Sequence, residues 1–230
     1  MYAAIEIEMQ TGWKTYWRVP GDAGGIPPEF DLSASENAKD VTVLYPAPHR
    51  LVDKSGTTIG YKDHIIFPIV VSPVDASKPV ELKLKAAYGV CEKLCVPAEA
   101  ELELTIPPDV GASPEIAESL SMVPRATPMQ GSDPTVAKWR VEPRDKKMFL
   151  IVETDDPGSS SATDIATEAF VDSPKGTYLP VPKKLSQSGT QSAFEVDLTD
   201  GATLQELVGL PVRITLVGHK GHSETAITLP

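Results

Sequence analysis

The chain has 230 residues, of which 41% are hydrophobic and 23% charged, with a formal net charge of -11. That length suggests one or two domains able to bury real cores. An acidic balance of this size argues against a nucleic acid partner, which asks for a basic face, and no run of about 18 apolar residues offers a membrane-spanning helix.

The chain opens at Met1-Tyr2-Ala3-Ala4-Ile5-Glu6-Ile7-Glu8-Met9, alternating as a half-buried strand does. A start inside a strand, with no signal peptide, leads us to expect a longer protein whose export signal and further domains lie outside these residues. The 22 prolines and 16 glycines punctuate many short apolar runs, the pattern of an all-β chain. In the first half, strands are predicted at 3–9, 13–18, 41–44, 65–71, 80–88 and 98–106. Glu81-Leu82-Lys83-Leu84-Lys85 and Glu101-Leu102-Glu103-Leu104-Thr105 alternate cleanly, so each should have one wet and one buried face. Pro107-Pro108 ends the last of these strands. Ser113-Pro114-Glu115 reads as a helix start, with Ser at the cap and Pro at the first position. Ile116, Leu120 and Val123 would share one face of that helix, and Pro124 and Pro128 break the chain after it. The second half predicts strands at 137–141, 148–153, 169–172, 193–197, 212–217 and 224–229. A loop is expected over 155–163 and one or two helical turns over 202–208. The expected fold is all-β: two immunoglobulin-like β-sandwich domains in tandem, residues 1–108 and 131–230, joined by a short helical, proline-rich linker over 109–130.

Cys91 and Cys95 are the only cysteines. They close a ring of five residues, for which the chain-entropy model gives about 2 kcal/mol, less than a long loop yields. On a hairpin with a three-residue tip, opposed Cα atoms lie about 4.5–5.5 Å apart, within the roughly 4.4–6.8 Å that a disulfide needs. The spacing suits reversible bridging, in which one thiolate attacks and the second resolves the mixed disulfide. It suits a passive staple at a hairpin tip equally well. Metal binding ranks behind both: two sulfurs with no nearby histidine make a poor zinc site, although Cys-x-x-x-Cys serves a soft ion such as Cu(I). Lys93 would favour a thiolate and Glu92 would oppose it.

Four blocks add a resemblance. They are Gly12-Trp13-Lys14-Thr15-Tyr16-Trp17-Arg18-Val19-Pro20-Gly21-Asp22, then Tyr45-Pro46-Ala47-Pro48, then Gly60-Tyr61-Lys62-Asp63 leading to Phe67-Pro68, and Tyr88-Gly89-Val90-Cys91-Glu92-Lys93-Leu94-Cys95-Val96-Pro97. In order and spacing, across about residues 1–107, they resemble the amino-terminal periplasmic domain of DsbD-type thiol:disulfide interchange proteins (protein-disulfide reductases), and in particular the ScsB-like branch linked to copper tolerance. The resemblance implies an immunoglobulin-like sandwich in the periplasm, tethered to the inner membrane through domains outside these residues. It implies a cysteine pair that takes electrons from a membrane-embedded reductase domain through a thioredoxin-like domain of the same full-length polypeptide. The pair would pass them to periplasmic thioredoxin-fold substrates: a disulfide isomerase, a cytochrome c maturation thioredoxin or an ScsC-like protein. It also implies that Cys95 forms the mixed disulfides and Cys91 resolves them, although the classical domain spaces its cysteines more widely. The family shields its cysteines with a cap loop carrying an aromatic. The matching segment here is Ser55 to Asp63, with Gly56 and Gly60 as hinges, Tyr61 as the first shielding candidate and Ile59 as the next. A shield has a physical purpose, since an exposed dithiol in an oxidising space reacts with the wrong oxidant, and a hinged loop opens for partners.

Other residues take plainer readings. Trp13, Tyr16 and Trp17 are close-spaced strand aromatics and read as core. His64 reads as a solvated strand end, and His219 and His222 flank a hairpin turn with no third ligand near. No Ser/His/Asp arrangement and no phosphate-cradling glycine loop is legible, and no cofactor or metal is expected. The function expected is a periplasmic protein-disulfide reductase module, one station of a relay and not self-sufficient, since it holds no electron source. Its rivals are a non-catalytic β-sandwich binding module with a structural disulfide, and a periplasmic copper-handling protein with the two thiols as ligands.

Overall fold

Strict alternation in consecutive runs sends every second side chain to one face, and two such faces closed on each other make a sandwich. The computed structural model describes residues 1–126, 131–159, 166–173, 177–201 and 204–230, which divide into two compact units, Met1–Val123 and Pro124–Pro230. Among the described residues no helix is long and apolar enough to cross a membrane.

In chain order the first unit contains β1 (Tyr2–Glu8), β2 (Lys14–Tyr16), β3 (Glu29–Asp31), β4 (Ala38–Val43), β5 (His49–Asp53), β6 (Gly56–Lys62), β7 (His64–Pro73), β8 (Val80–Cys91), β9 (Cys95–Ile106) and α1 (Pro114–Ser121). One sheet runs β1-β7-β4. The other runs β3-β8-β2-β6-β5, with β9 on the remaining edge of β8. Alternate residues of both sheets meet between them: Ile5 and Ile7 of β1, Phe67, Ile69 and Val71 of β7, and Val80, Leu82 and Leu84 of β8 are all buried. Tyr45 and Tyr61 meet Phe67 edge-on, with ring centroids 5.2 and 5.4 Å away.

Two features differ from expectation. Short strands β3 and β5 form where no strand was predicted. The segment 55–63, expected as a hinged cap, is strand β6 for most of its length, held between β2 and β5. Its Thr57, Thr58 and Ile59 are β-branched and suit the pleat. Gly60 is not a hinge: β2 passes so close that a Cβ there would collide with the Thr15 carbonyl.

The helix starts as read and ends at Ser121, so Val123 lies beyond it. Ser113 Oγ accepts from the Ile116 N–H at 3.4 Å and Pro114 takes the first turn. α1 packs on β7 and β1, Ser119 Oγ donates to the Ile66 carbonyl at 2.5 Å, and Ala47 N donates to the Met122 carbonyl at 2.7 Å. Residues 127–130 of the segment read as linker, with Pro128, lie outside the described residues.

The second unit contains β10 (Thr135–Arg144), β11 (Lys147–Asp155), β12 (Glu168–Asp172), β13 (Lys183–Ser188), β14 (Gln191–Asp197), α2 (Leu204–Leu207), β15 (Pro211–Val217) and β16 (His222–Thr228). Sheets β10-β11-β14-β13 and β12-β15-β16 enclose one core, with Leu150, Val152, Phe194 and Val196 from the first and Val171, Ile214, Leu216 and Ile227 from the second. β13 was not predicted, because all six of its residues are exposed and carry no alternation; backbone pairing with β14 makes it a strand. The loop expected at 155–163 is irregular at 156–159, and 160–163 lie outside the described residues. α2 takes up part of 202–208, of which 202–203 lie outside.

Candidate functional site

Twelve register pairs, from Val80↔Ile106 to Cys91↔Cys95, join β8 and β9 into a hairpin with Glu92, Lys93 and Leu94 at its tip. Directly opposed residues share a face, so the sulfurs are placed to meet. They are joined as a disulfide, with Cα atoms 4.2 Å apart. The two ends differ in access: Cys91 is 2% exposed, whereas Cys95 is an exposed residue. Lys93 Nζ lies 3.7 Å from Glu92 Oε1, so the two tip charges offset each other.

Register decides which side chains accompany the sulfurs. Cys91 opposes Lys14, which opposes Lys62, while Tyr16 opposes Gly60. Because side chains alternate, Cys91, Lys14 and Tyr16 share the outer face of the sheet. Thr15, Tyr61 and Ile59 share the inner one. Tyr61 is 3% exposed, donates from its hydroxyl to the Pro46 carbonyl at 2.7 Å and packs on Phe67, while Ile59 is 2% exposed. Neither expected shielding residue is brought to the disulfide, because both stand on the opposite face from it.

Tyr16 is brought there instead. Its hydroxyl lies 2.9 Å from Cys91 Sγ and 3.1 Å from Cys95 Sγ. A disulfide sulfur carries no proton, so the phenol donates. Burial raises the Tyr16 pKa and the charge of Asp53 raises it further, which keeps the hydroxyl protonated at neutral pH. Tyr16 is buried, as read, but beneath a loop on the outer face and not between the sheets. Residues 20–26 form this cover. Ile59 N donates to the Pro20 carbonyl at 2.9 Å, Ala23 N to Thr57 at 3.0 Å and Gly89 N to Ile26 at 3.0 Å. Gly25 sits at φ 147°, and a Cβ there would overlap the Tyr16 ring. Gly21 sits at φ 87°, where a Cβ would stand 2.7 Å from the Thr57 carbonyl. Both positions require glycine.

Beside Tyr16, Lys14 Nζ donates to Asp53 Oδ2 at 2.7 Å and to Thr58 Oγ1 at 3.0 Å. The Lys14 hydrogen bond, then those from Ser55, hold the Asp53 carboxyl well below the usual carboxylate range. This pair ties the β5–β6 turn to β2. Among the described residues no group of three His, Cys, Asp or Glu is placed to hold a metal. Trp17 is fully buried, with Arg18 over its ring at 4.1 Å, and His64 is an exposed strand end 2.8 Å from Glu6. Sequence reasoning missed what Tyr16, Lys14 and the glycine loop do around the sulfurs. The one available signal was the run Gly24-Gly25 following an aromatic on an adjacent strand, which marks close backbone approach.

Residues 2–107 match the family described as "Thiol:disulfide interchange protein DsbD, N-terminal". No curated protein matches the chain. The fold is shared with the N-terminal periplasmic domain of ScsB from Proteus mirabilis, with a TM-score of 0.72 over 99% of this chain and 87% of that one, at 19% sequence identity.

Proposed function

We propose, from the match of residues 2–107 to the amino-terminal family of DsbD-type thiol:disulfide interchange proteins, that Cys91 and Cys95 form a periplasmic exchange site that relays electrons between thioredoxin-fold proteins. The observation that carries the reading is the asymmetry of one disulfide: an exposed Cys95, a buried Cys91 and a single phenol within hydrogen-bonding distance of both sulfurs.

The chemistry balances as a two-electron exchange. In the reduced protein the Cys95 thiolate attacks a disulfide of the partner, forming a mixed disulfide and releasing one partner thiolate. The Cys91 thiolate then attacks Cys95 Sγ, re-forming the internal disulfide and releasing the second partner sulfur. Two electrons leave with the partner, and two protons follow from the thiols through solvent. A reduced thioredoxin-like domain, elsewhere in the full-length polypeptide, would reload the pair by the reverse steps. Tyr16 donates a hydrogen bond to whichever sulfur carries negative charge. Hydrogen bonds to charged groups are worth about 1.5–3 kcal/mol, enough to favour a thiolate at neutral pH. Disulfide isomerases, cytochrome c maturation thioredoxins and ScsC-like proteins are the partners proposed, as the family resemblance implies.

The test is the reduction potential of the pair, set by equilibration with glutathione or dithiothreitol buffers. A value between about -120 and -270 mV, the span of exchange proteins, supports the relay, whereas one below about -300 mV returns the bridge to a structural staple. A Cys91→Ser variant should then accumulate mixed disulfides on Cys95 with thioredoxin-fold partners, and a Cys95→Ser variant should not.

A further inference from the structure

Beyond the exchange site, β9 carries an edge that nothing in the described structure uses. It pairs with β8 along its whole length, and no strand among the described residues pairs with its other side. Alternate residues of such an edge turn their N–H and C=O groups outward. The two faces of β9 are sharply different. Val96, Ala98, Ala100, Leu102 and Leu104 lie on the face that β8 turns into the core. Leu82 and Leu84 of β8 are 3% and 7% exposed, whereas Leu102 and Leu104 beside them are 58% and 51% exposed. Glu99, Glu101 and Glu103 follow Cys95 on the other face. There a shallow concavity of about 450 Å³ is lined by Glu29, Asp31, Glu99 and Glu101, with Lys85 as the single cation, 3.6 Å from Glu101. Long apolar edges are ones that native sheets ordinarily shorten, cover or use.

We propose that the free edge of β9 docks an extended segment of another protein in which apolar and basic residues alternate. Added as a further strand, the segment satisfies the open main-chain groups. Its apolar side chains cover Leu102 and Leu104, and its basic side chains meet the row of glutamates. A second copy of this chain does not fit. Antiparallel pairing centred on Glu101 would set Glu101 against its own copy and Glu99 against Glu103. Like charges directly opposed destabilise a sheet, here between molecules of net charge -11. Because β9 begins at Cys95, a segment bound along it lies close to the exchange site. The inference goes beyond the exchange reading and does not depend on it.

The experiment titrates the protein with a capped nine-residue peptide alternating lysine and valine, read by calorimetry at low salt and by amide hydrogen exchange. The expected result is saturable binding that slows exchange over residues 98–104. Glu101→Lys should weaken it at least tenfold, as should Leu102→Lys, with circular dichroism confirming that each variant is folded. A peptide alternating glutamate and valine should not bind. The proposal is overturned if the lysine peptide leaves exchange over 98–104 unchanged, if Glu101→Lys binds it equally well, or if the protein sediments as a dimer that Leu102→Lys dissociates. Loss of peptide binding would leave the exchange reading intact, and a staple-like reduction potential would leave the docking edge intact.

Discussion

A phenol held 2.9 Å from one sulfur and 3.1 Å from the other is a donor shared by both halves of a redox couple. Tyr16→Phe keeps the ring that fills the space against Gly25 and Gly89 and removes only the donor. At about 1.5–3 kcal/mol for a hydrogen bond to a charged group, the more acidic thiol should rise by about 1–2 pKa units. The pH profile of alkylation by iodoacetamide measures this, and an unchanged profile would reduce Tyr16 to a packing role. A second prediction concerns Asp197 of β14. Burial alone would raise its pKa, but hydrogen bonds from Lys147 at 2.6 Å and from Thr199 hold it at about 2. A carboxyl depressed on folding contributes stability that is present above its unfolded value, near 3.9, and is lost as the pH falls towards about 2. Thermal melts taken between about pH 5 and pH 2 should therefore decline less steeply for Asp197→Asn than for the native chain. At this scale the cysteines were legible because they are only two and lie four residues apart. The partner of their sulfurs was not. Tyr16 and Tyr61 are both strand tyrosines, and only strand register tells which face each occupies.

Among the elements, the cover over Tyr16, the donor to both sulfurs, is the loop after β2, whereas the segment between β5 and β7 is a strand. Gly25→Ala would force either the loop or the Tyr16 ring to move, at a cost of about 1–3 kcal/mol, as for other overpacked sites. Reduction of the disulfide by a small thiol should then run several-fold faster than in the native protein. An equal rate would show that the loop does not limit access. Strands marked by alternation (β1, β8, β9, β14 and β15) or by a short continuous apolar run (β7 and β11) were legible as elements, and so was α1 from its Ser-Pro start. The short β3 and β5 and the wholly exposed β13 were not, because their strand state comes from backbone pairing with neighbours and leaves no periodic mark on their own residues. β6 was misread as a loop because its two glycines signal freedom, while in the sheet Gly60 answers a steric demand from β2.

For the whole molecule, the division at Val123 and Pro124 places α1 with the first unit. A fragment ending at Val123 should melt in one cooperative transition and keep the Cys91–Cys95 bridge. A fragment ending at Pro108 loses the partly buried Ile116 and Leu120 and the Ser119 bond to Ile66. It should be less stable by about 2–4 kcal/mol, given the apolar area involved, which chemical denaturation measures. Equal stability would put the helix outside the folded domain. By itself the sequence determined the all-β class, most strand positions, the helix start and the cysteine pair, because each is written in residues that are neighbours along the chain. Tertiary structure alone decided that the disulfide lies on the outer face, that Tyr16 reaches it from 75 residues away, and that the apolar side of β9 is left uncovered. Those outcomes depend on the register between distant strands and on how far the opposing sheet extends, and no local pattern carries either.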